Sequence, residues 1–406
     1  MDDAAANKDE DPYANDPFFK MVDDSDWNAC IGRQGEEENY VDGYIEAAIE
    51  LVGAVIEKQQ FGKRDTLVLP ILYNARHSIE LALKFATDRL VAVRLVPTAG
   101  KRDHDIKAYW ERLHGAAIGD EMLSHTIAAL WPFIESLARI DSDGQELRYH
   151  KNRDDDRSMA DYALANLKVI QASLAELKTL IDDLQYRTVD FLHEHKTGSH
   201  TNRCSRRDLL AIARIMPRRE MWNTAEFDQQ KAEVMQRFGL GSRQFSLALD
   251  KIQKNREMRA ILGMESPLLH LSDDDIVGVI TQWRHLHPKR EQPQSGVLGT
   301  DYFRIERFEA MEHHLSTLRD VIKELEQQLS PEKLADLETV YYLGRDRNFP
   351  EYYEELVGRK QREHAAAKNP QEEIRHLLEK TNLLNSIRAG ALTLGRVALA
   401  DRLGGL

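Results

Sequence analysis

The sequence predicts an all-α protein made of several helical bundles, and three observations predict it. Apolar residues recur at spacings of three and four along most of the chain, as in Leu164, Leu167, Ile170, Leu174, Leu177, Ile181 and Leu184. No stretch keeps the strict alternation of a half-buried strand, and no Asn-Gly or Asp-Gly pair joins two β-branched runs. Glycine and proline are scarce, 22 and 12 in 406 residues, which argues against a loop-rich sandwich or barrel.

The elements follow in order. Residues 1–40 are rich in Asp, Glu, Asn and Gly, with Phe18, Phe19 and Trp27 as isolated aromatics, and read as an acidic, disordered arm. A helix over 41–59 carries Tyr44, Ala47, Ala48, Leu51 and Val55 on one face. Residues 64–83 read as a long buried helix or as a short run leading into one, with Pro70 able to sit in the first turn of that helix, where a missing N–H is tolerated. Helices over 106–114, 117–138 and 158–195 complete a bundle spanning 41–195, with the last as its spine. Residues 196–204 (KTGSHTNRC) break the pattern and mark a boundary.

A basic helical middle segment then covers 196–288. Its start signals are Ser205 with Asp208 three residues on, Thr224, and Ser272 with Asp275 three residues on. Residues 288–299 (PKREQPQSGVLG) read as a linker, and 300–406 as a C-terminal helical bundle. In that bundle Ser330-Pro331 opens a helix, and Gly344 and Gly358 are expected at helix ends.

The formal net charge of −13 is unevenly spread. The first 47 residues hold about 14 acids and 3 bases, so the rest is near neutral and free to carry basic patches. Two cysteines, Cys30 and Cys204, give no disulfide framework, which points to a reducing compartment. Met1-Asp2-Asp3-Ala4 offers no basic region ahead of an apolar stretch, and no apolar run approaches the ~20 residues of a spanning helix. The expectation is a cytoplasmic chain with no membrane association.

The most distinctive segment is 73–84, YNARHSIELALK. On a helix, Arg76, Glu80 and Lys84 share one face, and Tyr73, His77 and Leu81 the adjacent one. Such a ladder reads either as ion pairing beside a core stripe or as part of a site. His104-Asp105-Ile106 precedes the next helix, with Trp110 just inside it, and Leu147-Arg148-Tyr149 follows the loop at 141–144.

In this order the pieces resemble the HEPN family, small helical bundles of prokaryotic defence and toxin systems. That family shows a helix of A-x-E-x-x-L-K flavour, then His-Asp-Leu, then Arg-Tyr-Pro before its last helix. The matches here are residues 77–84, His104-Asp105-Ile106 and Arg148-Tyr149, within 44–195. The resemblance implies a component of an antiviral defence or toxin system that binds or cleaves RNA at a homodimer groove, with a protein partner from the same operon. An enzyme of this kind would be a metal-independent endoribonuclease with no cofactor. Arg76, His77 and Glu80 are its candidate catalytic residues, and His104, Arg148 and Tyr149 its candidate binding residues.

The chain departs from the family in one respect. Active members carry Arg-x4–6-His, pairing charge neutralisation with proton transfer. Arg76 adjoins His77, and Arg148 is followed by Tyr149 and His150. The spacing recurs at Arg187 and His193, Arg307 and His313, and Arg359 and His364, a frequency that 15 histidines produce by chance. Arg307 and His313 sit among the most titratable neighbours and join the candidate catalytic residues.

Other features widen the field. Arg206, Arg207, Arg218 and Arg219, with Arg203 and Arg214, concentrate positive charge suited to phosphate contact. Residues 234–252 read as a helix-turn-helix with Arg243 facing a groove, the basis of an alternative as a DNA-binding regulator. His193, His195, His200 and Cys204 could supply zinc ligands, but their spacing matches no standard zinc pattern and no metal is expected. No phosphate-cradling glycine loop or nucleophile elbow is present. A non-enzymatic helical scaffold or sensor that binds a partner protein is the remaining reading.

Overall fold

The computed structural model of the chain describes residues 15–20, 25–32, 35–98, 104–151, 155–288, 305–366 and 369–406. Among them the regular elements are helices, and extended backbone pairs only at one bridge between Lys151 and Arg157. The all-α expectation holds. No helix among the described residues is long and apolar enough to cross a membrane. Of the acidic arm, residues 1–14, 21–24 and 33–34 lie outside the described residues, and Phe18 and Trp27 are exposed.

The chain divides into two compact units, Met1–Gly115 with Thr126–Tyr186, and Ala116–His125 with Arg187–Leu406. In the first unit α1 (Glu37–Glu57) packs along α2 (Arg64–Ala92). Helix α1 buries Val41, Ile45, Ala48, Val52 and Val55, and α2 buries Ile71, Ala75, Ile79, Ala82, Phe85, Ala86 and Leu90, each at spacings that return to one helical face. Next come α3 (Ile106–Gly115), α4 (Glu121–Ala129), α5 (Trp131–Ile140) and α6 (Leu167–Lys196), of which α4 up to His125 and α6 from Arg187 belong to the second unit. Helix α2 packs on α3 and α5, which brings the chain before α3 and the loop after α5 to one side of α2.

Three sequence expectations shift in this unit. Pro70 lies well inside α2 instead of in its first turn, because the helix starts at Arg64 directly after the 3-10 turn Phe61–Lys63. The helix expected over 117–138 breaks at Leu130, where Pro132 occupies the first turn of a new helix. The spine begins at Leu167 and not at Ser158, and Met159 adopts a left-handed φ of 59° that no α-helix accommodates.

The second unit has two apolar cores. Helices α7 (Arg206–Ile215), α8 (Ala225–Arg237), α9 (Ser242–Lys254) and α10 (Arg256–Ile261) surround Leu209, Ile212, Val234, Phe245, Ile252 and Met258. Helices α11 (Asp273–Leu286), α12 (Ile305–Gln328), α13 (Pro331–Asp346), α14 (Tyr353–Ala366), α15 (Pro370–Leu378), α16 (Leu383–Thr393) and α17 (Val397–Gly404) enclose the other. The cores part between Leu262 and Leu268, so α11 packs with the C-terminal helices. Residues 289–299 of the expected linker lie outside the described residues.

The serine starts form as expected. Ser205 and Ser272 make reciprocal capping boxes with Asp208 and Asp275, and Ser330 accepts from the Lys333 N–H. Thr224 is the residue before α8, but its hydroxyl donates to the Met221 carbonyl instead of capping. Gly344 and Gly358 lie inside α13 and α14, not at their ends. A Cβ on Gly344 would meet the Ser386 carbonyl oxygen at 1.9 Å, and one on Gly390 the Val340 carbonyl oxygen at 2.0 Å. These two glycines let the backbones of α13 and α16 touch.

Candidate functional site

The ladder on α2 is built around a buried guanidinium. Arg76 is 1% exposed. Its Nε donates to the Asp141 carbonyl (2.8 Å), Nη1 to Glu80 Oε2 (2.9 Å), and Nη2 to the carbonyls of His104 (2.6 Å) and Ser142 (3.2 Å). One side chain thus ties α2 to the segment before α3 and to the loop after α5. That loop is closed from within, because buried Asp141 accepts from the backbone N–H groups of Glu146 and Leu147. Gly144 takes a φ of +80°, and a Cβ there would lie 3.2 Å from Arg76 Nη1, so conformation and space both favour glycine.

Glu80 is the second buried member. It accepts from Arg76, from Lys84 Nζ (2.6 Å) and from His104 Nδ1 (2.8 Å). Burial alone would raise its pKa, but the bonds from Lys84, His104 and Arg76 outweigh it and hold the carboxyl below the usual range. A carboxylate only accepts, so His104 Nδ1 donates to Glu80 and Nε2 is the ring nitrogen not used in that bond. The His104 side chain is 58% exposed.

The solvent-facing rim carries charge and aromatic surface. Arg148 Nε donates to the Gly144 carbonyl, and no carboxylate among the described residues lies within salt-bridge distance of its guanidinium. That group lies 5.7 Å from the Tyr73 ring centre and 5.5 Å from that of Tyr149, which is itself exposed. His77 stacks on Tyr73 (5.6 Å) and meets Tyr44 edge-on (4.4 Å). Burial lowers its pKa, so it is held as a neutral ring.

The structure therefore brings together Arg76, His77, Glu80, His104, Arg148 and Tyr149. Arg76 reaches no ligand in this arrangement, because it is enclosed and every one of its nitrogens bonds to protein. Arg307 and His313 lie on α12 in the other unit; the Arg307 side chain lies outside the described residues, and His313 is exposed. The loop at 141–144 is legible in the sequence; its closure by Asp141 and the demand on Gly144 are not, although the D-S-D-G run is a turn signal that points toward both.

In the second unit Arg206 is buried and bound to Glu257 (2.6 Å) and Glu351 (2.7 Å), which commits its guanidinium to protein carboxylates. Arg203, Arg207, Arg214, Arg218, Arg219 and Arg243 are exposed, and among the described residues none has a carboxylate within 4.0 Å. Arg219 lies over the Trp222 ring at 4.5 Å. Helices α8 and α9 form the expected helix pair around 238–241, but the outward face of α9 mixes Arg243 with Leu247 and an Asp250–Lys254 pair (2.8 Å).

Arg187 turns toward Asp120 and Glu194, and His364 toward buried Glu338, so neither forms an Arg–His constellation. His195 and His200 stack at 3.9 Å, and burial, followed by the charge of Asp208, pushes the Cys204 thiol up to about 12. Among the described residues no group of three His, Cys, Asp or Glu side chains is placed to hold a metal ion. No family model, curated protein or solved structure matches the chain.

Proposed function

We propose that the first unit binds RNA and cleaves it by metal-independent acid–base chemistry, as a HEPN-like component of a defence or toxin system. The observation that carries this reading is a solvent-facing imidazole, His104, held by a buried carboxylate, Glu80, beside the unpaired guanidinium of Arg148. His104 Nε2 takes the proton of a ribose 2′-hydroxyl, and the 2′ oxygen attacks phosphorus. The bond from phosphorus to the 5′ oxygen breaks, and the imidazolium returns the proton to that leaving oxygen. Arg148 neutralises the phosphate, and Tyr73 and Tyr149 offer faces for adjacent bases.

Arg76 is a positioning residue in this scheme. It fixes the His104 backbone and the loop that presents Arg148, which removes the need for the Arg-x4–6-His spacing of active family members. The exposed arginines of the second unit support an RNA substrate, since unpaired guanidinium groups suit phosphate. A homodimer and a protein partner follow from the family resemblance and belong to the same proposal.

The test incubates the purified chain with total RNA in the presence of a chelator, beside His104→Ala, Arg148→Ala and Arg307→Ala. Cleavage is expected from the wild type and from Arg307→Ala, with loss in His104→Ala and weakened RNA binding in Arg148→Ala. A chain that neither cleaves nor binds RNA but retains a partner protein would favour a scaffold. A salt-sensitive shift of duplex DNA abolished by Arg243→Ala would favour a DNA-binding regulator.

A further inference from the structure

The second unit holds a cavity of about 200 Å³ at the C-terminal end of α13, against one face of α14. Its wall contains three cations, Arg345, Arg359 and Lys360, one carboxylate, Asp346, and the polar side chains of Tyr342 and Asn348. None of these groups takes part in the site of the first unit.

The cations are held in place by neighbours that do not exhaust them. Arg345 pairs with Asp346 through Nε (2.6 Å) and Nη2 (3.2 Å), and its guanidinium lies 4.5 Å from the Tyr342 ring centre. Its Nη1 stays open. Lys360 is anchored by buried Glu338 (3.3 Å) and by Glu363 (2.8 Å), and lies 5.2 Å from the same ring. Glu338 is fixed in turn by His364 (3.1 Å). Arg359 is 60% exposed, and its nearest carboxylate, Glu363, is 3.9 Å from Nε, so both terminal nitrogens are open.

Gly344 precedes Arg345 and lets the last turn of α13 pack closely against the backbone of α16. Arg347 then takes a left-handed φ of 53° and turns the chain back toward Asn348. A non-glycine residue in that region carries strain, and the tight α13–α16 contact supports it.

We infer that this cavity binds a small phosphate monoester, of the class of a sugar phosphate or nucleoside monophosphate. The Arg359 guanidinium, whose terminal nitrogens have no partner among the described residues, matches the bidentate geometry of a phosphate, and Arg345 and Lys360 stand beside it. The volume lies below the ~300 Å³ at the small end of drug-sized pockets, which suits one phosphate with a compact substituent and not a threaded polymer.

Titration calorimetry on the full chain tests this with inorganic phosphate, ribose 5-phosphate, AMP, adenosine and a 5′-phosphorylated oligonucleotide as probes. Saturable one-to-one binding of ribose 5-phosphate or AMP at millimolar concentration is expected, with none for adenosine. Arg359→Ala should weaken it at least tenfold, and Arg139→Ala, at an exposed arginine of α5, should leave it unchanged. Arg359 is exposed, so its variant keeps the fold and decides the matter even if Arg345→Ala does not fold. The inference is overturned if no phosphate ester binds saturably, if Arg359→Ala binds AMP as tightly as the wild type, or if adenosine matches AMP. Much tighter binding of the oligonucleotide than of AMP would overturn the small-molecule assignment in favour of an RNA end.

Discussion

Arg76 in the first unit and Arg187 in the second are both almost wholly buried, and both tie distant parts of the chain together. Arg187 donates to Asp120 (2.5 Å) and Glu194 (2.8 Å) and so holds the end of α6 to the start of α4. Burial alone would raise the pKa of Asp120, but the bonds and charge of Arg187 hold it below the usual range. Nearby Asp208 is raised to about 7 by its burial and then by the charge of Asp120. Every member of that cluster is enclosed or faces the protein. At Arg76 the partner carboxylate Glu80 makes one more bond, to a histidine that is 58% exposed. A buried ionic cluster with displaced titration is therefore not by itself a site. The difference is one outward-facing group that the cluster aims.

Breaking the clusters gives the largest effects. Arg76→Ala and Arg187→Ala should each lower unfolding stability by about 3–5 kcal/mol, because each removes the guanidinium paired with a buried carboxylate. Denaturant titration measures this. The two then diverge in function: Arg76→Ala should abolish RNA cleavage at temperatures where it is still folded, whereas Arg187→Ala should keep cleavage under the same condition. Equal activity in both folded variants would erase the distinction drawn between the clusters.

His104→Ala separates function from fold more sharply. The imidazole is exposed and Glu80 keeps Arg76 and Lys84, so Tm should barely move, while cleavage falls by about 10²–10⁴-fold. A parallel loss of Tm would mean that His104 is structural.

The enclosed cluster should announce itself through pH. The folded pKa of Asp208, about 7, lies above its ordinary 3.8. Between those values the unfolded chain has released a proton that the folded chain still holds. Stability from this group is full below pH 4 and is lost as pH rises through 7. Asp208→Asn should remove that fall, seen as a flatter dependence of Tm on pH. The smallest effect concerns the thiols. Cys30 is exposed, and Cys204 is buried with its pKa pushed up to about 12. A thiol reagent at pH 8 should modify one cysteine in the native chain and two in denaturant.

Local signals were legible in the sequence because local chemistry fixes them. Ser205, Ser272 and Ser330 cap helices through atoms three residues away, and Arg76, Glu80 and Lys84 align by helical geometry alone. The misreadings are tertiary. Gly344 looks like a helix end until α16 arrives against it. Arg206 looks like one more exposed cation until Glu257 and Glu351, distant in sequence, close over it. The acceptors that enclose Arg76 are mostly backbone carbonyls, which no residue type advertises. His104 was legible as part of the cluster, but its pairing with Glu80 depends on how the chain before α3 is laid against α2.

The central claim is that Glu80 and Arg76 aim His104 at an RNA phosphodiester. The most direct measurement is RNA cleavage in chelator by wild type and His104→Ala at equal folded concentration, with product ends identified. The account predicts 2′,3′-cyclic phosphate and 5′-hydroxyl ends from the wild type and their loss in His104→Ala at unchanged Tm. Cleavage that persists in His104→Ala, or a folded wild type that leaves RNA intact, would contradict it.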